Sequence, residues 1–212
     1  MATTAAPYGA RPIGTTSAAG SFTGMVRNLP IGGTGITAYD TNIFNGDFVK
    51  IVANGTVEKD AGTDALASVG IFMGCAYTDP TSGQKTFSDM WPADNAATDA
   101  VAYVLDDPNV VIQMQANGVM NTIDRGLNVA VIQTAGSTSI KKSKNAIDSG
   151  TSTAPATTLT LPLRVIDYVD GPKSLAPTGT TNSDGFPDVI VKFNAASTFV
   201  ASPHSYNNPT GL

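Results

Sequence analysis

Residues 51–60 read IVANGTVEKD. Asn54-Gly55 stands between two short apolar runs, the strongest short-range signal for a β-hairpin. Directly upstream, residues 42–50 read NIFNGDFVK, with a second Asn-Gly at Asn45-Gly46. The reading predicts a tight hairpin whose structural turn is Asn54 and Gly55. It predicts type I′ geometry there, with both central residues at positive φ.

Working outward, strand-like runs follow at short spacing. They cover residues 25–29, 47–53, 56–59, 69–77, 101–105, 110–115, 129–134, 159–169 and 188–193. In Val110–Gln115, Ile112 and Met114 alternate with Gln113 and Gln115, the pattern of a half-buried antiparallel strand. Val189, Val191 and Phe193 alternate in the same way. Pro162 interrupts the run at 159–169; proline lacks a ladder donor, so an edge strand or a bulge is expected there. Asn117-Gly118 offers a second type I′ turn, and Asp79-Pro80, Asp107-Pro108 and Gly171-Pro172 mark strand exits. Residues 146–158 and 171–187 read as long polar loops. One helical turn at residues 121–128 ends at Gly126, and Trp91-Pro92 argues against a helix around it. The expected fold is all-β: an antiparallel barrel- or sandwich-like core with long loops and an extended N-terminal arm.

Composition agrees. The chain has 212 residues, 42% hydrophobic and only 14% charged, against roughly 25% charged in an average soluble domain. Its 21 glycines and 13 prolines punctuate an otherwise neutral sequence. A net charge of −5 argues against a nucleic-acid surface, which needs a basic patch to displace counterions. Lys141, Lys142 and Lys144 are the one basic cluster, read as a solvated loop. The N-terminus has no apolar signal-peptide core, and no run approaches the length of a membrane span. A soluble protein made in a cytoplasm is expected.

A search for chemistry returns little. Cys75 is the single cysteine and His204 the single histidine. Cys75 sits in the apolar run VGIFMGCAY and reads as a buried thiol, not half of a Cys-His pair. Asp106 and Asp107 are adjacent, so in an extended segment they face opposite ways and make a poor acid–base pair. Asp184 and Asp188 are too few for a calcium loop. The GGTG at 32–35 lacks the lysine and helix of a phosphate loop. The expectation is a structural or binding module: no enzyme, no cofactor, no metal.

Residues 1–23 are rich in Ala, Thr, Gly and Pro and show no core-forming period. Residues 1–16 carry neither helix nor strand signature, so order there is expected from contact with another chain. Tyr8 and Arg11 are the anchoring side chains, and Pro12, with Pro7, limits the backbone. Tyr8, Arg11 and Pro12 are therefore the expected intersubunit contacts.

The order of motifs carries a resemblance. It runs from PYGARPIG through NIFNGDFVKIVANGTVEKD, VGIFMGCAYTDP, MWPA, AYVLDDPNVVIQMQANG and LPLRVIDYVDGP to DVIVKFN and HSYNNPTG. The sequence resembles tailed-bacteriophage capsid decoration, or cement, proteins, above all in GDFVK…NGTV…VGIF. The resemblance implies a structural virion protein that binds the outer surface of the capsid and stabilises it by bridging subunits of the major capsid protein. It implies a homo-oligomer, with a homotrimer favoured, on the capsid exterior after synthesis in a bacterial host's cytoplasm. It divides the chain into an arm (1–23), a decoration-like domain (24–99) and a further β-rich region or second subdomain (100–212). The chain is about twice as long as the smallest such proteins, which accounts for the third part. The alternative is a vertex, tail or fibre-head protein, in which Trp91, Tyr77 and Tyr103 would line a carbohydrate site.

Overall fold

The computed structural model describes residues 5–16, 26–32, 39–169, 185–194 and 204–205. Among them the regular structure is strand, apart from a single 3-10 turn at Thr122–Asp124. No helix among the described residues is long and apolar enough to cross a membrane.

Two antiparallel sheets form the body. The first has five strands, in the order β1 (Arg11–Thr15), β10 (Val110–Gln115), β15 (Asp188–Phe193), β14 (Leu163–Tyr168), β11 (Asn128–Val129). The second runs β2 (Val26–Pro30), β9 (Val101–Leu105), β6 (Gly70–Thr78), β4 (Phe48–Ile51), β5 (Val57–Lys59). Its sixth strand, β7 (Lys85–Ser88), pairs with the far half of β6. Two ribbons complete the fold: β3 (Ile43–Phe44) with β8 (Met90–Trp91), and β12 (Val131–Ile132) with β13 (Ala146–Ile147).

Strand alternation decides what packs where. Ile112, Met114, Val189, Val191 and Phe193 point from the first sheet toward Phe48, Ile71 and Leu105 of the second, forming one core. The opposite face of the second sheet sends Val49, Phe72, Ala102 and Val104 into another core with Ile43 and Trp91. The central strand β6 of the second sheet is thus buried on both faces, which is why it reads as an almost unbroken apolar run. This is the sandwich-like packing expected; among the described residues neither sheet closes into a barrel.

Several local expectations need correction. The hairpin β4–β5 forms, with Ile51 opposite Val57, but not as type I′. Its loop is Ala53–Gly55, closed by Gly55 N–H to Val52 O (2.8 Å) and Val52 N–H to Thr56 O (2.9 Å). Gly55 alone takes positive φ (+81°), as in a turn followed by a bulge glycine. The Asn54 side chain instead accepts the Thr56 N–H. Gly118 likewise has no positive φ; Asn117 ties the 149–151 loop down by accepting the Ser149 N–H and donating to Thr151. Pro162 falls just before β14, an interior strand, and the bulge lies between Val165 and Asp167.

The arm is also different. Its described part is not strandless: β1 pairs with β10 of the same chain, Arg11 opposite Gln113 and Thr15 opposite Val110. The cause is a backbone ladder and a close glycine crossing, neither of which needs apolar periodicity. Val101–Leu105 lies between β2 and β6 in the second sheet, and Val110–Gln115, which follows it, lies between β1 and β15 in the first.

Candidate docking groove

The two sheets meet where four segments converge: the arm, the turn at Asn45-Gly46, the bulge of β6, and the loop before β13. Gly46 takes φ +93°, and its carbonyl accepts the Ala10 N–H at 2.9 Å. Gly9 takes φ +80° and donates to Asn145 O at 3.2 Å. A Cβ on Gly9 would stand 2.5 Å from Ser143 Cβ and 2.8 Å from Gly46 O. Glycine is required here because backbone crosses backbone.

Beyond the crossing, Tyr8 Oη donates to Asp188 Oδ1 (2.9 Å), and Asp188 also accepts from Gln113 Nε2 (3.1 Å). Burial, then the Asp188 charge, raises the Tyr8 pKa, so the phenol stays a donor. Asp188, weighed in the sequence as a metal ligand, is instead engaged by these two donors. Asp184 lies outside the described residues. Among the described residues no three His, Cys, Asp or Glu side chains converge on a possible metal position.

The bulge between Phe72 and Gly74 pushes Met73 outward, and Met73 O accepts from Asn45 Nδ2 at 2.7 Å. Met73 walls two clefts. One, of about 500 Å³, is lined by Tyr8, Ala10, Arg11, Pro12, Asn45 and Lys142. The other, of about 360 Å³, is lined by Cys75, Phe87, Asp89, Tyr103 and Lys141. Because they share Met73 and consecutive lysines rim them, they read as one groove. Phe87 is 71% exposed, and Ile140, next to Lys141, is 64% exposed. Large apolar side chains gathered so openly mark interaction surfaces.

The rim is cationic on a chain of net charge −5. Lys142 pairs with Asp89 at 3.0 Å, but both are exposed, so the pair contributes little. Arg11 and Lys141 have no carboxylate within ion-pair distance among the described residues. Lys141 sits at φ +56° in the turn closed by Ser137 N–H to Lys142 O. The lysines expected in a solvated loop thus crown a tight turn at the groove.

Among the described residues, the single cysteine and the single histidine are held in the cores rather than poised in the groove for covalent chemistry. The Cys75 thiol is buried, lies 3.4 Å from Met90 O, and burial pushes its pKa up to about 12. His204 packs edge-on to the Phe193 ring of the other core (centroids 5.0 Å), and burial lowers its pKa to about 4. Asp106 pairs with Arg27, while Asp107 accepts the Asn109 N–H, so the two carboxylates serve the turn before Pro108. Trp91 and Tyr77 pack edge to face, centroids 5.4 Å apart, inside the second core. Of the three aromatics weighed for a carbohydrate site, Tyr103 lines the second cleft.

The structure therefore brings Tyr8, Arg11 and Pro12 together on one cleft wall, and places Asn54 and Gly55 in the β4–β5 hairpin, outside it. Sequence reasoning missed Phe87 and Met73. Phe87 stands alone in the polar stretch KTFS, and the available signal for Met73 was Gly74, a glycine inside a strand pattern. No protein family, curated protein or solved structure matches this chain.

Proposed function

We propose that the chain is a structural virion protein, a cement protein that binds the outer surface of an expanded tailed-phage capsid and bridges major capsid protein subunits through the Met73 groove. The observation that carries this reading is the groove itself: apolar side chains gathered on an acidic protein beside Arg11 and Lys141, which have no carboxylate within ion-pair distance among the described residues. Such a surface suits an acidic, apolar-bearing segment of a protein partner.

The sequence phrase behind the resemblance supports it further. GDFVK, NGTV and VGIF form one contiguous unit, β5–β4–β6, with buried Asp47 accepting the Phe44 N–H and facing Lys59 at 3.2 Å. Tyr8, Arg11 and Pro12 contact the partner as part of the groove wall, and the chain acts as a homo-oligomer, a trimer by the resemblance. Purified protein mixed with expanded or unexpanded capsids and sedimented tests this. Saturable binding to expanded capsids alone is expected; binding to neither, or equally to both, overturns the proposal.

A further inference from the structure

A second feature lies beneath the surface, where β5 approaches the segment leading into β13. Asp47 is wholly buried, and its carboxylate meets three nitrogen groups, one of them the Phe44 N–H on Oδ2 at 3.0 Å. Oδ2 faces Lys59 Nζ at 3.2 Å, with the Lys59 side chain only 13% exposed. Oδ1 accepts from Asn145 Nδ2 at 3.2 Å, and Asn145 is also wholly buried. The Asn145 amide is polarised from its other end, because Oδ1 accepts the Thr134 N–H at 3.2 Å.

The neighbouring residues clamp these parts together. Gln133 Nε2 donates to Asp60 O (3.0 Å) and Gly62 O (2.9 Å), fastening the chain beside Thr134 to the chain beside Lys59. The Asn145 backbone is held at both ends, its N–H on Ser143 Oγ (3.1 Å) and its carbonyl on Gly9 N–H (3.2 Å).

As a purely structural device this is an unusual choice. Lysine is among the residue types least often buried, and an apolar pair of the same volume would stabilise as well or better. As a reaction centre every part has a use: an amine, an amide with its carbonyl on a backbone donor, and one carboxylate reaching both nitrogens.

We propose that Lys59 and Asn145 join through a self-catalysed isopeptide bond, with Asp47 carrying the proton. The Lys59 ammonium gives a proton to Asp47, and the free amine attacks Cγ of Asn145. Charge developing on Oδ1 is met by the Thr134 N–H, an oxyanion donor already in place. Asp47 passes its proton to Nδ2 and takes the second proton from Nζ, the Cγ–Nδ2 bond breaks, and the departing ammonia carries that proton off as ammonium as the Nζ–Cγ amide forms. One C–N bond is made and one is broken, with no change in oxidation state. The burial of Asp47 and Asn145 keeps water from the reacting groups. The bond ties β5 of the second sheet to the residue before β13. It does not depend on the cement reading, and its test involves no capsid.

Intact mass spectrometry and peptide mapping of the full-length purified chain test it. The expected result is a mass below that of the sequence by one ammonia, with the Lys59 and Asn145 peptides recovered as one branched species. Lys59→Arg should restore the full sequence mass. Deamidation at the Asn-Gly sites through a cyclic imide also loses ammonia, but it persists in Lys59→Arg and gives no branch. Separate Lys59 and Asn145 peptides recovered from the unmodified chain, with no branched species, overturn the proposal. The peptide map of the unmodified chain decides the matter even if the variant fails to fold.

Discussion

Gly9→Ala probes whether the arm belongs to its own fold, and the structure sets the size of the effect. Gly9 lies at φ +80°, where a Cβ costs about 1–2 kcal/mol through backbone sterics alone. The new methyl would also stand 2.5 Å from Ser143 Cβ, well inside the roughly 3.5–4.0 Å optimum for carbon contacts. Ser143 cannot easily yield. It is wholly buried, its N–H donates to Asn45 O at 3.0 Å, and its hydroxyl accepts the Asn145 N–H. Overpacking of this kind costs about 1–3 kcal/mol. The sum is about 2–5 kcal/mol, or about 5–15 °C in melting temperature for a chain of this size. Gly55→Ala is the matched control: its φ is +81° and nothing lies within 4 Å of the added Cβ, so it isolates the backbone term. Thermal melts of both variants and of Gly9→Ala/Ser143→Gly complete the experiment, the double variant recovering most of the contact term. If Gly9→Ala melts within about 2 °C of Gly55→Ala, the equivalent of about 1 kcal/mol or less, the crossing is not tight and the arm is not built into the protomer.

Two further outcomes follow from buried polar groups. His204 is held neutral by burial, against the opposing pull of Asp106 and Asp107, with its pKa lowered from 6.5 to about 4. The unfolded chain therefore binds the extra proton between those values, and stability falls as pH drops through that window, by about 2 kcal/mol at pH 5 relative to pH 7.5. Denaturant melts at the two pH values check this, and His204→Asn should flatten the slope above pH 5. Asp148 is buried and accepts backbone N–H groups from Gly150, Thr151, Ser152 and Thr153. Asp148→Ala should destabilise by about 1–3 kcal/mol, with faster amide exchange confined to residues 150–153.

What the sequence revealed, and what it hid, follows from the range of the interactions. Val101–Leu105, Val110–Gln115 and Asp188–Phe193 were readable to the residue, because each carries its own alternation or apolar density. The hairpin at Asn54-Gly55 was readable for the same local reason, although the turn type was not. There the Asn54 side chain bonds onward to Thr56, which suits a turn with Gly55 as its one left-handed residue. Strand β1 was not readable. Its sequence RPIGT is held by pairing with β10, about a hundred residues away, and by the crossing of Gly9 over Gly46. The candidate groove divided in the same way. Tyr8, Arg11 and Pro12 stood out as residue types, whereas the partners that make them a surface, Met73, Phe87, Lys141 and Lys142, come from three other segments.

The groove is the centre of the functional account, and a titration onto expanded capsids tests it most directly. Phe87 and Arg11 are exposed, so Arg11→Glu/Phe87→Asp should leave the melting temperature nearly unchanged, since surface changes of this kind fall within about 0.5 kcal/mol each. Measured by sedimentation over a range of protein concentrations, the double variant should bind at least tenfold more weakly than the unmodified chain, about 1.4 kcal/mol. Equal affinity for a variant that remains fully folded would contradict the account and place the capsid contact on another face.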